Sequence, residues 1–124
     1  MSDRILLSTG EVKLRAELND SATAATFRAL LPMEVRLSRW GEEYYGDCGI
    51  NVDIAEDAKE VMEVGELAVW PVGNALCIFF GPTPVSTGDE PRAASKVNPI
   101  GKLTDSHEPL KKLASSISVK ISVL

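Results

Sequence analysis

The sequence predicts a mainly β domain spanning residues 1–124: a closed or nearly closed barrel capped by one or two helices. Three observations predict it. Apolar residues recur with period two through most of the chain. The clearest stretch with helical spacing stops at a proline, Pro32. The final residues, SVKISVL, alternate to the end, as a strand would that pairs with the first one and closes the sheet.

Taken in order, Ile5 and Leu7 open a strand, and Gly10 in STGE supplies the φ > 0 that a hairpin turn needs. In EVKLRAEL, Val12, Leu14, Ala16 and Leu18 alternate with Lys13, Arg15 and Glu17, a strand with one buried face. NDSATAATFRALLP changes period: Asp20 or Ser21 caps a helix over about 21–31 whose inner face carries Phe27, Leu30 and Leu31. MEVRLSRW returns to alternation, with Met33, Val35 and Leu37 inward. At its end Arg39 falls on the apolar face and Trp40 on the polar one, which marks a bulge, a strand end or a functional surface.

INVDI (50–54) reads as a further strand. GELAVWPV and NALCIFFG follow, separated by Pro71 and Gly73; the second is apolar on both faces and is expected to be central. VSTGDEPRAASK (85–96) has loop composition and is long enough to suggest function. HEPLKKLA is a short helix carrying Leu110 and Leu113. In SVKISVL, Val119, Ile121 and Val123 point inward.

Length and composition suit one globular domain with its own core: 44% apolar and 25% charged residues. A net charge of −5 argues against nucleic acid, whose recognition rests on Lys and Arg. The N-terminus lacks the pattern of a signal peptide, and the longest apolar run, ALCIFF, is far short of a membrane span; a soluble, cytoplasmic protein is expected, with no membrane partner. Cys48 and Cys77 match no redox or zinc spacing and read as free thiols, Cys77 packing as a small hydrophobe.

Few residues point to chemistry. Glu42, Glu43 and Asp47 are candidates for acid–base work or a hard cation, but adjacent strand residues face opposite ways, so they read as solvated. The single histidine, His107, reads as a cap-region residue of a helix. One His with two unrelated Cys makes a poor zinc set, and no phosphate loop is present, so neither a metal nor another cofactor is expected. Trp40, Tyr44, Tyr45, Trp70, Phe79 and Phe80 remain as core or as the lining of a groove. Phe80 abuts Gly81-Pro82-Thr83-Pro84, a loop stiff enough to form a pre-organised wall.

NALCIFFGPTPVSTGDEPRAASKVNPIGKL, preceded by WGEEYY and VWPVGNAL, resembles the small prokaryotic cyclophilin-like proteins over nearly the whole chain. Trp40-Gly41-Glu42, Trp70-Pro71, Phe79-Phe80-Gly81, Thr83-Pro84, Val97-Asn98 and Ile100-Gly101 carry the likeness. It implies an eight-stranded closed β barrel with a helix at each open end. True cyclophilins are prolyl isomerases that hold proline in a pocket on the barrel's outside and polarise the amide with an arginine. Phe79-Phe80 and Ile100-Gly101 resemble parts of that pocket. The segment bearing the catalytic arginine has no counterpart in MEVRLSRWGEEYYGD, and the pocket histidine and tryptophan are missing between the phenylalanines and Gly101. The resemblance therefore implies a fold and an outer site, and no catalytic residue is assigned.

The reading favoured by the sequence is a peptide- or small-ligand-binding module. Its expected ligand-binding residues are Arg39, Trp40, Glu42, Tyr44, Phe80, Thr83, Pro84, Ala94 and Asn98, with Arg39 fixing a carbonyl or carboxylate and Asn98 offering an amide donor and acceptor. The alternatives are a weak prolyl isomerase using Arg39 and an assembly protein whose exposed aromatics form a homodimer interface.

Overall fold

A two-residue turn at Gly10 (φ +56°) and Glu11 joins β1 (Arg4–Thr9) to β2 (Val12–Leu18), with Thr9 paired to Val12. The computed structural model describes residues 3–124. Ser21 caps α1 (Ala22–Ala29), its side chain accepting from the Ala24 amide at 3.1 Å, and Phe27 is fully buried beneath the helix. The helix is shorter than the expected 21–31. Leu30 is the C-cap and is exposed, while Leu31 packs on the core; the residue before a proline is pushed out of the helical region, and Leu31–Pro32 is a cis peptide.

The remaining strands are β3 (Met33–Arg39), β4 (Glu43–Asp47), β5 (Lys59–Val61), β6 (Glu66–Trp70), β7 (Ala75–Phe79), β8 (Arg92–Leu103) and β9 (Ser116–Val123). Short 3-10 turns occupy Pro71–Gly73 and Glu108–Lys112, the latter burying Leu110. All pairings are antiparallel, in the order β2-β1-β9-β3-β4-β7-β6-β8-β5, and β2 also pairs with β8. Eight strands thus form a closed ring, with β5 outside it. The last strand does pair with the first, Ile121 opposite Leu7, and its other edge holds β3, Val119 opposite Val35. Val123, expected inward, is exposed at the strand's end.

Two expected boundaries change. Residues 50–54 are not a strand, although Ile50 is buried. Their backbone is engaged by a side chain instead: Asn98 Nδ2 donates to the Asp53 carbonyl (2.8 Å) and Oδ1 accepts from the Ala55 amide (2.9 Å). The loop expected to reach residue 96 stops short, because Arg92 begins β8.

β8 is long and serves two layers. Its second half pairs with β6 and β2 in the ring, while its first half pairs with β5 outside. Ala93 and Val97 from that first half pack with Met62, Ala68, Cys77 and Phe79 into a second apolar cluster, against which Trp70 leans. Alternate residues of β7 therefore enter different cores. Leu76 and Ile78, followed by Phe80, join the inner one; Cys77 and Phe79 join the outer one. This accounts for a run that is apolar on both faces.

Candidate functional site

The β3–β4 turn sets the site. Arg39 pairs with Tyr44, and the Trp40 amide donates to the Glu43 carbonyl at 2.8 Å. Gly41 takes φ +61°, and a Cβ on it would lie 2.8 Å from Thr83 Cα, so glycine is required for the turn to meet the following loop. That loop is latched on both sides of the turn: the Glu42 amide donates to the Pro82 carbonyl and the Phe80 amide to the Glu42 carbonyl, each at 2.9 Å. Thr83 Oγ1 donates to the Arg92 carbonyl, which ties the loop to the start of β8.

On the outer face of the ring, Glu43 lies opposite Phe79, Tyr45 opposite Cys77, and Cys77 opposite Ala68. Here a pocket of about 120 Å³ opens. Trp40, Tyr45 and Trp70 provide its aromatic walls, Ala93, Ala94 and Val97 close it from β8, and Glu43 and Cys77 line it from β4 and β7. Trp70 is held from two directions. Its Nε1 donates to Ser95 Oγ at 2.6 Å, and Gly73 sits against its six-membered ring so closely that a Cβ would lie 2.6 Å from Cε3. The wall is therefore ordered before any ligand arrives.

Glu43 is the polar group of this apolar pocket. It is only 4% exposed, and its Oε1 has no hydrogen-bond partner. Burial raises its pKa to about 7, opposed by a hydrogen bond with the Cys77 thiol. Burial also pushes the Cys77 thiol well above its ordinary value, and the neighbouring Glu43 charge adds to that. Near neutral pH the carboxyl is divided between its acid and carboxylate forms, and the thiol stays protonated. Among the described residues no three His, Cys, Asp or Glu converge to hold a metal ion; Glu43 and Cys77 form a pair without a third ligand.

The residues expected at the site are dispersed by the fold. Trp40 and Ala94 line the pocket. Tyr44 and Phe80 lie inside the barrel, their rings stacked with centroids 5.6 Å apart. Packing, rather than a pocket wall, is thus the role of Phe80. Arg39 caps the same interior pair, its guanidinium 5.1 Å from the Phe80 ring centre, with Nε donating to the Gly41 carbonyl (2.9 Å) and a terminal nitrogen to the Lys111 carbonyl (3.1 Å). Tyr44 adds a hydrogen bond to the Ala114 carbonyl.

Glu42 folds against Gly81, where a Cβ would meet its carboxyl carbon at 2.8 Å. Pro84 is exposed on the loop beside Gly41, and Thr83 is buried by its bond to Arg92. Asn98 is buried, and its amide is committed to Thr23, Asp53 and Ala55. Glu43, expected to be solvated, is the buried carboxyl. Tyr45, Trp70 and Cys77 complete the pocket with no place among the expected ligand-binding residues. One signal pointed there: the double-sided apolar run of β7 requires a cover on its outer face, and a residue beside it on that face must share the cover.

The family model described as cyclophilin-like matches residues 3–122. The solution structure of the hypothetical protein AF2241 from Archaeoglobus fulgidus superimposes with a TM-score of 0.83 at 34% sequence identity, covering 99% of this chain and 95% of that one. No curated protein matches the chain.

Proposed function

The chain belongs to the cyclophilin-like family, and we propose that it is a binding module for a peptide or small ligand, its site being the outer-face pocket between β4, β7 and the first half of β8. One observation carries this reading: a pre-ordered aromatic pocket is lined by a glutamate whose Oε1 is buried with nothing bonded to it. A polar atom left unpaired in an apolar setting is costly, and a ligand that donates to it recovers that cost.

The other readings draw less support. A prolyl isomerase would need Arg39 to donate to a bound amide, yet its guanidinium already serves two backbone carbonyls and two interior rings. A homodimer would need several exposed aromatics, whereas among the described aromatic residues Tyr45 alone is exposed, and Trp40 and Trp70 are half-buried walls of the pocket.

The test is an NMR titration of the two tryptophan indole resonances with proline-containing peptides and a set of small polar fragments. Binding shifts both indoles and raises thermal stability, by about 2.7 kcal/mol when ligand reaches 100 times Kd. Indoles unmoved by every compound at millimolar concentration would overturn the reading.

A further inference from the structure

We infer that the outer pocket selects an organic ammonium ion that carries at least one N–H, bound with the nitrogen against Glu43 and its alkyl substituents against Trp40, Tyr45 and Trp70. The inference rests on the pocket being the ligand site and names the chemistry of its ligand.

Charge and hydrogen bonding agree. Glu43 lines the pocket, and its Oε1 is buried there with no partner. A carboxylate only accepts, so its complement is a donor, and a cationic donor makes the stronger bond. Three aromatic side chains surround the space, and π-systems attract cations and repel anions. No Lys, Arg or His lines the pocket among the described residues, so no cation in the wall competes for the carboxylate. The chain's net charge of −5 favours the approach of cations. A neutral apolar ligand would fill the same volume and leave Oε1 unbonded, while an anion would meet the carboxylate unfavourably.

The carboxyl's environment adds a pH dependence. The groups facing it are Phe79 and Cys77 from β7, Trp40 from the turn, and Ala93, Ala94 and Val97 from β8; Tyr45 on β4 and Trp70 complete the wall. Cys77 and Tyr45 are the ionisable side chains among these, and burial keeps the Cys77 thiol protonated through neutral pH. Glu43, held up to about 7, must ionise to pair with the cation. The apparent affinity is the intrinsic affinity scaled by the ionised fraction.

The experiment titrates the intact protein at fixed ionic strength with tert-butylammonium and with tert-butanol, its neutral analogue of like shape, following the indole resonances of Trp40 and Trp70. A third arm uses N-acetyl-lysine amide, which presents the ammonium as a peptide side chain would. Binding of tert-butylammonium or of the lysine derivative at least about tenfold tighter than tert-butanol supports the inference, and the tighter of the two tells whether the source is a small amine or a peptide. The Kd should fall about tenfold per pH unit between pH 5 and 6 and level off above about 7. Glu43→Gln should weaken the ammonium at least about tenfold and leave tert-butanol unchanged.

Equal binding of tert-butylammonium and tert-butanol with a flat pH profile would overturn the ammonium inference and leave the pocket as an apolar ligand site. No indole response to any of the three would overturn the ammonium inference; only indoles that also stay unmoved by the peptides and fragments of the wider panel would overturn the pocket as well. The pH profile of the native chain decides the matter even if the glutamine variant fails to fold.

Discussion

Glu43 and Phe79 face each other across β4 and β7 on the outer side of the ring, a carboxyl group opposite a fully buried phenyl ring. In a one-layered barrel that position would be wet. Here the first half of β8 lies over it, and this cover turns an ordinary strand glutamate into a buried acid.

Stability should therefore depend on the Glu43 carboxyl. Its pKa is near 4.5 unfolded and about 7 folded, so the native state binds more protons between those values. Stability contributed by this group then declines as pH rises from about 4.5 to about 7 and is level above. A glutamine side chain cannot ionise, so the stability of the Glu43→Gln variant relative to the native chain should climb over the same window, by up to about 3 kcal/mol. Urea denaturation of both proteins from pH 5 to 8 measures it. A pH-independent difference would mean that Glu43 is not desolvated.

Asn98 substitutes for a strand partner. It bonds Thr23, Asp53 and Ala55 and so fixes both the helix start and the segment after Ile50. Asn98→Ala should lose about 3 kcal/mol, since it leaves buried partners unpaired. The Ala55 amide should also exchange with solvent much faster, and hydrogen exchange by NMR reads this directly. Unchanged protection at Ala55 would contradict the assignment.

Ring closure has its own weak point. Gly101 pairs with Leu18 where β8 meets β2, and a Cβ there would fall on the Glu17 carbonyl oxygen. Gly101→Ala should cost about 3 kcal/mol, and the loss should appear as reduced protection of the β2 and β8 amides. Gly10→Ala meets nothing within 4 Å and bears only the cost of φ +56°, so it should be the milder change.

Arg39 and the pocket should separate cleanly. Arg39→Ala removes two hydrogen bonds to carbonyls and a cation–ring contact at the barrel's end, a loss of about 2 kcal/mol by thermal unfolding. Ligand affinity at the outer pocket should be unchanged. Ser95→Ala should do the reverse: it frees the Trp70 indole, costs little stability and weakens binding several-fold.

Period-two alternation by itself determined most of the barrel. Val12, Leu14, Ala16 and Leu18, then Met33, Val35 and Leu37, then Val119 and Ile121 announce their faces because a strand's side chains alternate whatever it pairs with, and only Val123, where the strand ends, does not follow. The helix was placed for reasons equally local: of the two cap candidates, Asp20 and Ser21, it is Ser21 that caps it, and it ends at Ala29, ahead of Pro32. The same alternation misread residues 50–54, where Ile50 and Val52 turn inward but an amide side chain from β8 meets the backbone. Only the tertiary structure decided which outward residues are wet. That depends on the register of β4 against β7 and on β8 crossing over them, contacts between residues tens of positions apart. Glu43, Cys77 and Trp70 became one site through those contacts, while Arg39, Tyr44 and Phe80 were drawn into the barrel's end. Sequence neighbours such as Glu43 and Tyr44 part company because adjacent residues on a strand enter opposite layers.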